Sequence, residues 1–442
     1  MTECNQESFE FPALKSNKTT RKIEVNFSGG EVSGDGGVML LREVDRKIGL
    51  TRDLAKHLND PRNPLLIEHT SLEMLRQRAY GLCLGYEDLN DQQTLRNDTA
   101  IQTAVEKDSS LASPPTLCRF ENRGDRNTAI LFHHVLVDKF IESFEEPPIE
   151  LILDFDATDD IVHGNQVGRH FHGYYDNYCF LPLYVFCKDQ LLVSYLRPSN
   201  IDGAKHAWGV IALLVKRLRK QWPGVKIIFR GDSGFCRHQM LNWLEKNDVH
   251  YIMGIAGNKV LERHSQDLVN QAKQEFTNTN IKQKLFSETI YAAKSWSKTR
   301  RIIIKAEHSS LGANTRYIIT NLAGEAQSLY ENDYCARGEM ENRIKEQQLD
   351  MFADRTSCHD WWPNQFRLLL SSVAYVLMET LRRTALQSTE LAEAQVGTIR
   401  LKLLKIGAVV VRNTRRIKLF FSSHYPYQEL FKKIALQLIS TA

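Results

Sequence analysis

Acidic residues follow two apolar segments of the chain. Asp154 and Asp156 come at the end of the apolar run 151–153, and the alternation of a strand places both carboxylates on one face. Asp232 follows a second apolar run, 227–229, and stands directly before Ser-Gly. Open α/β sheets place their sites at the carboxyl ends of such strands. We therefore expect a cluster of carboxylates at one edge of a sheet.

A further carboxylate, Glu341, belongs to a helical pattern. Polar residues recur around it at intervals of three, four or seven: Tyr334, Arg337, Glu341, Lys345 and Gln348. On a helix this spacing projects side chains from roughly one face. The pattern predicts a polar helix face that carries the third carboxylate.

Clustered carboxylates favour a divalent cation. They repel one another, and a hard cation bound through oxygen relieves the repulsion. Mg²⁺ is the ion that this donor set predicts. Two such ions about 4 Å apart can activate a water or a 3′-hydroxyl and stabilise the leaving oxygen of a phosphodiester displacement. Each acid alone is more simply explained as a turn or helix-cap residue, so the prediction depends on all three sites together.

One tryptophan is flanked by cations. Trp296 lies in the sequence Lys-Ser-Trp-Ser-Lys-Thr-Arg-Arg at 294–301. An aromatic ring beside cations can stack an unpaired base next to a neutralised backbone. A tryptophan on an edge strand, packed on a small local core, fits the same pattern, and both interpretations stay open.

Positive charge is concentrated near the C-terminal end. The formal net charge of the whole chain is only +4, which says little about nucleic acid. Between Glu393 and Glu429 there is no acidic residue, but there are seven cations: Arg400, Lys402, Lys405, Arg412, Arg415, Arg416 and Lys418. A solvated surface is one interpretation of this basic tract. The other, which we take as the prediction, is contact with the DNA backbone.

The elements that would position these residues have an α/β order. Strand-like runs alternate with helical runs at 203–221 and 237–247, and the strands fall at 150–156, 180–187, 190–196, 225–230 and 249–255. Strands joined through helices predict parallel pairing. Before them, residues 38–145 have a helical pattern with a capping box at Thr70 and Glu73. After them, residues 259–331 return to short strands, as expected of an antiparallel insertion.

Other features exclude several classes of protein. A chain of 442 residues predicts two or three domains. The glycines at 29–37 are not followed by Gly-Lys-Ser/Thr, which excludes a phosphate-binding loop. The eight cysteines form no CxxC pair, which argues against structural zinc. The first seven residues lack the features of a signal peptide, and no stretch approaches eighteen apolar residues, so we expect a cytoplasmic protein without a membrane partner.

Three motifs together resemble a known family. They are Asp-Phe-Asp-Ala-Thr at 154–158, Arg-Gly-Asp-Ser-Gly-Phe at 230–235, and Tyr334-x2-Arg337-x3-Glu341. This combination is similar to the DDE transposases of bacterial insertion sequences, with the group numbered thirteen-eighty as the nearest match. The resemblance covers most of the chain. Further matching stretches lie at 85–90, 113–122, 354–357 and 364–367.

The resemblance implies a specific catalytic core. It implies a ribonuclease-H-like fold in which Asp156, Asp232 and Glu341 bind two Mg²⁺ ions, with Mn²⁺ able to replace them. Asp156 is preferred to Asp154 as the first carboxylate because it stands directly before Ala-Thr, where the family's first carboxylate falls. Asp154 remains the alternative.

The resemblance also implies contacts with DNA. Tyr334 and Arg337 are expected on the backbone of the transposon end, and Trp296 is expected to stack a base. The family places a lysine seven residues after the glutamate, but this chain has Gln348, which can hydrogen-bond a phosphate without neutralising it. Lys345, one helical turn after Glu341, is a candidate substitute.

We therefore expect an α/β protein that binds double-stranded DNA, both at the transposon ends and at the target. We expect it to be a homodimer on DNA and to associate with the bacterial nucleoid when bound. We predict five segments: a helical N-terminal DNA-binding domain (1–146), the first part of the catalytic core (147–258), a β-rich insertion (259–331), the helical remainder of the core (332–390) and a basic C-terminal region (391–442). Alternative functions are a nuclease of the same fold without strand transfer, a catalytically impaired DNA-binding relative, and a partner-binding protein without enzymatic activity.

Overall fold

A computed structural model describes residues 8–15 and 19–440 of the chain. The first seven residues, on which the prediction of no signal peptide depends, lie outside the described residues. Within the described ranges, no helix combines the length and the apolar character needed to cross a bilayer.

The strands and helices follow one another in runs, and single strands and helices alternate only between 207 and 279. The strands are β1 (Phe9–Lys15), β2 (Thr20–Val25), β3 (Val32–Ser33), β4 (Glu150–Ala157), β5 (Asp160–Ile161), β6 (His170–His172), β7 (Asn177–Phe180), β8 (Leu183–Cys187), β9 (Gln190–Tyr195), β10 (Lys226–Gly231), β11 (His250–Gly254), β12 (Gln283–Tyr291), β13 (Arg300–Ser309), β14 (Gly312–Thr320), β15 (Ala408–Asn413) and β16 (Arg416–Phe421).

The α-helices are α1 (Val38–Ile48), α2 (Leu50–Ala55), α3 (Ser71–Cys83), α4 (Gln92–Leu95), α5 (Thr99–Val105), α6 (Pro114–Glu121), α7 (Arg126–Glu142), α8 (Ala207–Gln221), α9 (His238–Lys246), α10 (Lys259–Thr279), α11 (Ala326–Ser328), α12 (Gly338–Lys345), α13 (Trp361–Leu381), α14 (Val396–Ile399) and α15 (Gln428–Ser440). Short 3-10 turns lie at Pro64–Leu66, Ser233–Phe235 and Cys335–Arg337. Segments of π-helix lie at Leu329–Tyr334, Glu346–Asp350, Arg382–Leu386 and Arg400–Leu404.

Contacts between residues divide the chain into two compact units. Unit 1 contains 1–49, 62–118 and 380–442, and unit 2 contains 50–61 and 119–379. Each unit combines segments that are distant in the sequence, and the five segments expected from the sequence stay a prediction. In particular, α7 belongs to unit 2 because it packs on β9, where the ring of His133 accepts a hydrogen bond from the Ser194 N–H over 3.2 Å.

Unit 2 is built on one large mixed sheet. Its strand order is β12-β13-β14-β11-β10-β4-β8-β9. The central strands β4, β10 and β11 are parallel to one another, and the outer pairs are antiparallel. The predicted α/β class and the predicted parallel pairing are therefore confirmed. The connections from β4 to β10 and from β10 to β11 include α8 and α9, which are the crossover helices that parallel neighbours require.

Apolar residues of the central strands form the core of unit 2. Leu153, Phe155 and Phe229 are fully buried with residues of α8 and α9. Phe155 and Phe229 are in ring contact, with centroids 4.6 Å apart. Each such side chain contributes about 1.5–3 kcal/mol through burial. The ends of β4 and β10 are therefore held by a packed aromatic layer.

The predicted antiparallel strands extend the same sheet. β12, β13 and β14 pair in sequence, and β14 pairs with β11. Residues 259–279, expected as part of a strand-rich region, instead form α10. Leu261, Ser265 and Ala272 of this helix are buried. The helical spacing of Leu261, Leu268 and Ala272 could have predicted the helix.

Unit 1 combines helices with two small sheets. Its α3 begins with the predicted capping box, in which Thr70 and Glu73 exchange side-chain to backbone hydrogen bonds of 3.2 and 2.7 Å. Two strands form within the C-terminal basic tract: β15 pairs with β16 and with β3. Near the N-terminus, β1 and β2 form an antiparallel hairpin.

Candidate active site

Asp156 and Asp232 come from the carboxyl ends of neighbouring parallel strands. The register pairs Arg230 with Asp154 and Gly231 with Phe155, and one further step brings Asp232 beside Asp156. Strands in a sheet lie about 4.8 Å apart, so the two carboxylates are neighbours. The edge of the sheet therefore brings these two carboxylates together.

Each aspartate also orients its own turn. One oxygen of Asp156 accepts the Ala157 N–H over 3.0 Å. One oxygen of Asp232 accepts the Gly234 N–H over 2.8 Å and so caps the 3-10 turn Ser233–Phe235. A Cβ at Gly234 would come within 2.9 Å of that oxygen. The second oxygen of each carboxylate takes no part in these hydrogen bonds.

Asp154 has different neighbours. It is 2% exposed, and both of its oxygens accept hydrogen bonds from the guanidinium of Arg230. The same guanidinium donates to the carbonyl of Asp333 over 2.5 Å. Burial raises the pKa of Asp154, although the bonded Arg230 opposes the shift. Asp154 thus connects β4 and β10 to the residue before Tyr334.

Glu341 lies on α12 and is held by Arg337. The guanidinium of Arg337 donates to a Glu341 oxygen over 2.7 Å, and another of its nitrogens lies 3.7 Å from an Asp156 oxygen. Burial would lower the pKa of Arg337, but the nearby carboxylates, Asp156 and Glu341 foremost, raise it on balance. Arg337 is therefore a cation held between two of the three acidic side chains.

The three acids share one cavity. It has a volume of about 680 Å³, and the predicted residues that line it are Asp156, Asp232, Arg337, Glu341, Lys345 and Gln348. Burial raises the pKa of Asp156 to about 7; the charges of Asp232 and Glu341 add to the rise, while Arg337 opposes it. A carboxylate with a raised pKa lies in surroundings that do not stabilise its negative charge, so a cation bound beside it would favour the ionised form.

The oxygen atoms of these three carboxylates are suitable ligands for a hard divalent cation. The described residues contain no group of three or more His, Cys, Asp or Glu side chains already arranged to hold a metal ion. In this structure the carboxylate of Glu341 accepts a hydrogen bond from the guanidinium of Arg337. Three carboxylates around one cavity supply the oxygen ligands that such an ion prefers, provided that Glu341 turns away from Arg337.

Tyr334 does not line this cavity. Its hydroxyl lies against Gly254, where an added Cβ would approach it to 2.9 Å, and its side chain borders a neighbouring cavity of about 430 Å³. A π-helical segment ends at Tyr334, and a 3-10 turn follows. Because neither segment has 3.6 residues per turn, the expected single face is interrupted before Arg337.

Lys345 and Gln348, the two candidate residues that follow Glu341, also line the cavity. Lys345 is exposed. Gln348 donates through its side-chain amide to the carbonyl of Asp159 over 3.0 Å. Its side chain thus lines the cavity and is bonded to the loop after β4.

Trp296 is not among the residues that line the cavity of the carboxylates. Its ring contacts Tyr291 at 5.3 Å between centroids and lies 5.1 Å from the guanidinium carbon of Arg300. That guanidinium is paired with Glu245. Trp296 is half-buried and packs against the core of unit 2. One side of the ring therefore has a local packing function.

Part of the basic tract is paired within unit 1. Arg412 lies 3.3 Å from a Glu31 oxygen and donates to Gln102 over 3.0 Å, and Lys405 lies 2.8 Å from Asp35. Arg415 and Arg416, at the turn between β15 and β16, are exposed. The seven cations are therefore not equivalent.

Sequence reasoning did not single out Arg230. Its position in Arg-Gly-Asp, two residues before Asp232 on the same strand, matches that of Asp154 before Asp156. In-register pairing of the two strands would have predicted the ion pair.

The comparison with protein families gives a match over almost the whole chain. A family model described as "Transposase DDE domain group 1" matches residues 15–441. The chain belongs to this transposase family. The resemblance to DDE transposases is thereby confirmed at the level of the family. No curated protein matches the chain at the significance required.

Solved structures include a similar chain of low identity. It comes from the cryo-EM structure of the piggyBac transposase synaptic complex with hairpin DNA. The two chains are 10% identical, with 83% of this chain and 80% of that chain covered, at a TM-score of 0.42.

Proposed function

We propose that this transposase-family protein cuts and joins DNA strands at the ends of a bacterial insertion sequence of the group numbered thirteen-eighty. Asp156, Asp232 and Glu341 are the proposed catalytic residues, on a ribonuclease-H-like core. The observation that carries the proposal is the shared cavity of these three acids at the ends of two parallel strands. In a chain of the transposase DDE family, that cavity is the natural place for phosphodiester chemistry.

The three carboxylates would hold two Mg²⁺ ions, or Mn²⁺ in their place. When bound, such ions activate the attacking oxygen and stabilise the leaving oxygen of an in-line displacement. Asp156 and Asp232 would bind through the oxygens that their turns leave free. Glu341 would join them after releasing Arg337, whose guanidinium is then available for a phosphate, which it can bind through two parallel hydrogen bonds.

Other residues are proposed to hold the DNA. Tyr334 and Arg337 would contact the backbone of the transposon end, and Lys345 and Gln348 would contact a phosphate from the same cavity. The exposed part of Trp296 is proposed to stack a base.

The hairpin of β15 and β16 is the second proposed DNA contact. Arg415 and Arg416 would neutralise backbone charge, with Arg412 beside them. The protein would act on the chromosome in the bacterial cytoplasm, with two copies pairing two transposon ends.

A cleavage and joining assay tests the proposal. Labelled DNA carrying the sequences that flank this reading frame is incubated with the protein and Mg²⁺. We expect strand cleavage and joined products from the natural chain. Asp156→Asn, Asp232→Asn and Glu341→Gln should each lower cleavage by about a thousandfold or more while end binding persists.

Glu339→Gln is the matched control, since Glu339 is exposed on the same helix and does not line the cavity. Its cleavage should stay within about twofold of the natural chain. Cleavage without joining would assign the protein to the nuclease alternative. Normal cleavage in all three acid variants would overturn the proposed site.

A further inference from the structure

The N-terminal hairpin has one apolar face that is exposed to solvent. Phe9 is paired with Val25, and Phe11 with Ile23, so all four side chains lie on the same face. The exposed fractions are 46% for Phe9, 54% for Phe11 and 39% for Ile23. The two phenylalanine rings contact each other edge to face at 5.7 Å. These four residues are called the hairpin face.

The opposite side of the hairpin is charged. Glu10 is paired with Glu24 across the strands, and Lys22 lies 3.3 Å from a Glu10 oxygen. The hairpin is therefore amphipathic, which is the pattern of a sheet that covers an apolar surface. An isolated two-stranded hairpin is at best marginally stable in water. Packing of the apolar face against another surface would therefore stabilise this hairpin.

A second apolar surface of unit 1 is exposed on the small sheet of β3, β15 and β16. Val409 is paired with Val32 on one side and with Phe420 on the other. Together with Val411 these residues are 40–62% exposed. The alternate residues Ala408 and Val410 are buried on the other side. Val32, Val409, Val411 and Phe420 are called the sheet face.

We propose that the hairpin face of one chain packs on the sheet face of a second copy, and reciprocally, to form a symmetric dimer without DNA. Both faces are apolar, both are flat strand surfaces, and both are exposed in the single chain. Two sheets of this kind pack face to face about 10 Å apart. A two-fold axis makes the exchange reciprocal, so each copy gives and receives one hairpin.

The area favours a second copy over a small partner. One hairpin face on one sheet face would bury roughly 600 Å² of apolar surface, given about 150–250 Å² for a whole aromatic side chain. That is below the roughly 1,200 Å² of a stable specific interface. The reciprocal exchange doubles the area and reaches this range. A single-sided contact would not.

The test is the mass of the full chain in solution, measured by sedimentation at micromolar concentration without DNA or metal. We expect a dimer, twice the 50.9 kDa of one chain. Phe11→Lys on the hairpin face and Val409→Glu on the sheet face should each weaken dimerisation by about tenfold or more. Mixing the two variants should restore dimers, because a lysine then meets a glutamate at one of the two contacts. Glu24→Gln, on the charged side of the hairpin, should remain dimeric.

Disulfide trapping identifies the contact. In a chain with Cys4, Cys118 and Cys335 changed to Ser, a mixture of Phe11→Cys and Val409→Cys chains should form a cross-linked pair. A monomeric natural chain would overturn the proposal, as would a cross-link between two Phe11→Cys chains. A Phe11→Cys/Val409→Cys chain that cross-links only within itself would show that the hairpin covers its own sheet. None of these readouts depends on cleavage, so the dimer and the proposed catalytic function can fail separately.

Discussion

The carboxylates of Asp154 and Asp156 leave one face of the same strand but meet different neighbours. Asp154 is buried against Arg230, whereas Asp156 borders the cavity and has no such cation bonded to both oxygens. The alternation of a strand predicts their common face. It does not predict which of the two is neutralised, because that depends on the arginine of the neighbouring strand.

Stability should separate these two aspartates. Asp154→Asn leaves the buried guanidinium of Arg230 without its counter-charge, and we expect a loss of about 3 kcal/mol in the free energy of unfolding. Asp156→Asn removes a carboxylate that other carboxylates repel, so it should leave metal-free stability equal or higher at pH 8. Urea unfolding of both variants measures this. A destabilised Asp156→Asn beside an unaffected Asp154→Asn would reverse the assignment.

The pKa of Asp156 predicts how pH affects stability and metal binding. Its folded value of about 7 lies above the ordinary 3.8, so the protonated carboxyl favours the folded state. This contribution is complete below about pH 3.8 and is lost as the pH rises through 7. Mg²⁺ needs the ionised form. Its affinity should rise about tenfold per unit up to pH 7 and then level off, as measured by calorimetric titration. A flat affinity between about pH 5 and pH 8 would contradict the prediction.

Gln348 is the residue that departs from the family pattern. If its position faces a phosphate of the transposon end, Gln348→Lys should hold or raise end cleavage by up to about tenfold through a charge-assisted contact. The change also removes the amide bond to the Asp159 carbonyl. Lys345→Ala should then be less damaging beside Gln348→Lys than alone. A double-mutant cycle on end cleavage measures the coupling. Strict additivity would mean that Lys345 does not compensate.

At the scale of elements, strands were easier to predict than the helix of Glu341. Apolar runs before Asp156 and Asp232 define β4 and β10 within a residue or so. Arg337, Glu341, Lys345 and Gln348 line one cavity although the segment changes from 3-10 turn to α-helix to π-helix, whereas Tyr334 does not line it. Helix periodicity assumes one pitch, and the change of pitch before Arg337 depends on tertiary packing.

The hairpin of β15 and β16 was also not predicted, although the apolar runs at 408–411 and 419–421 on either side of a polar turn are typical of strands. Its structure refines the prediction for the basic tract. Arg415→Gln with Arg416→Gln should reduce the slope of log affinity for DNA against log salt by about two, since each cation releases close to one counterion. Arg412→Gln should change the slope less because Glu31 already neutralises it. Binding measured across a salt series decides this. An unchanged slope in the double variant would assign the turn to solvent.

At the scale of the whole molecule, sequence order and spatial grouping differ. The family and the α/β class could be predicted from motifs that are local in the chain. The grouping of 1–49 and 62–118 with 380–442 could not, because pairs such as β3 with β15 join residues almost the whole chain apart. A single sequence carries no signal for such contacts.

The central claim is that Asp156, Asp232 and Glu341 form a two-metal site. The most direct test is the position of Mn²⁺ in crystals of the natural chain, located by anomalous scattering. We predict two peaks about 4 Å apart between these carboxylates, with Glu341 turned away from Arg337. Crystals that show no peak in this cavity, grown from protein that cleaves DNA in Mn²⁺, would contradict the claim.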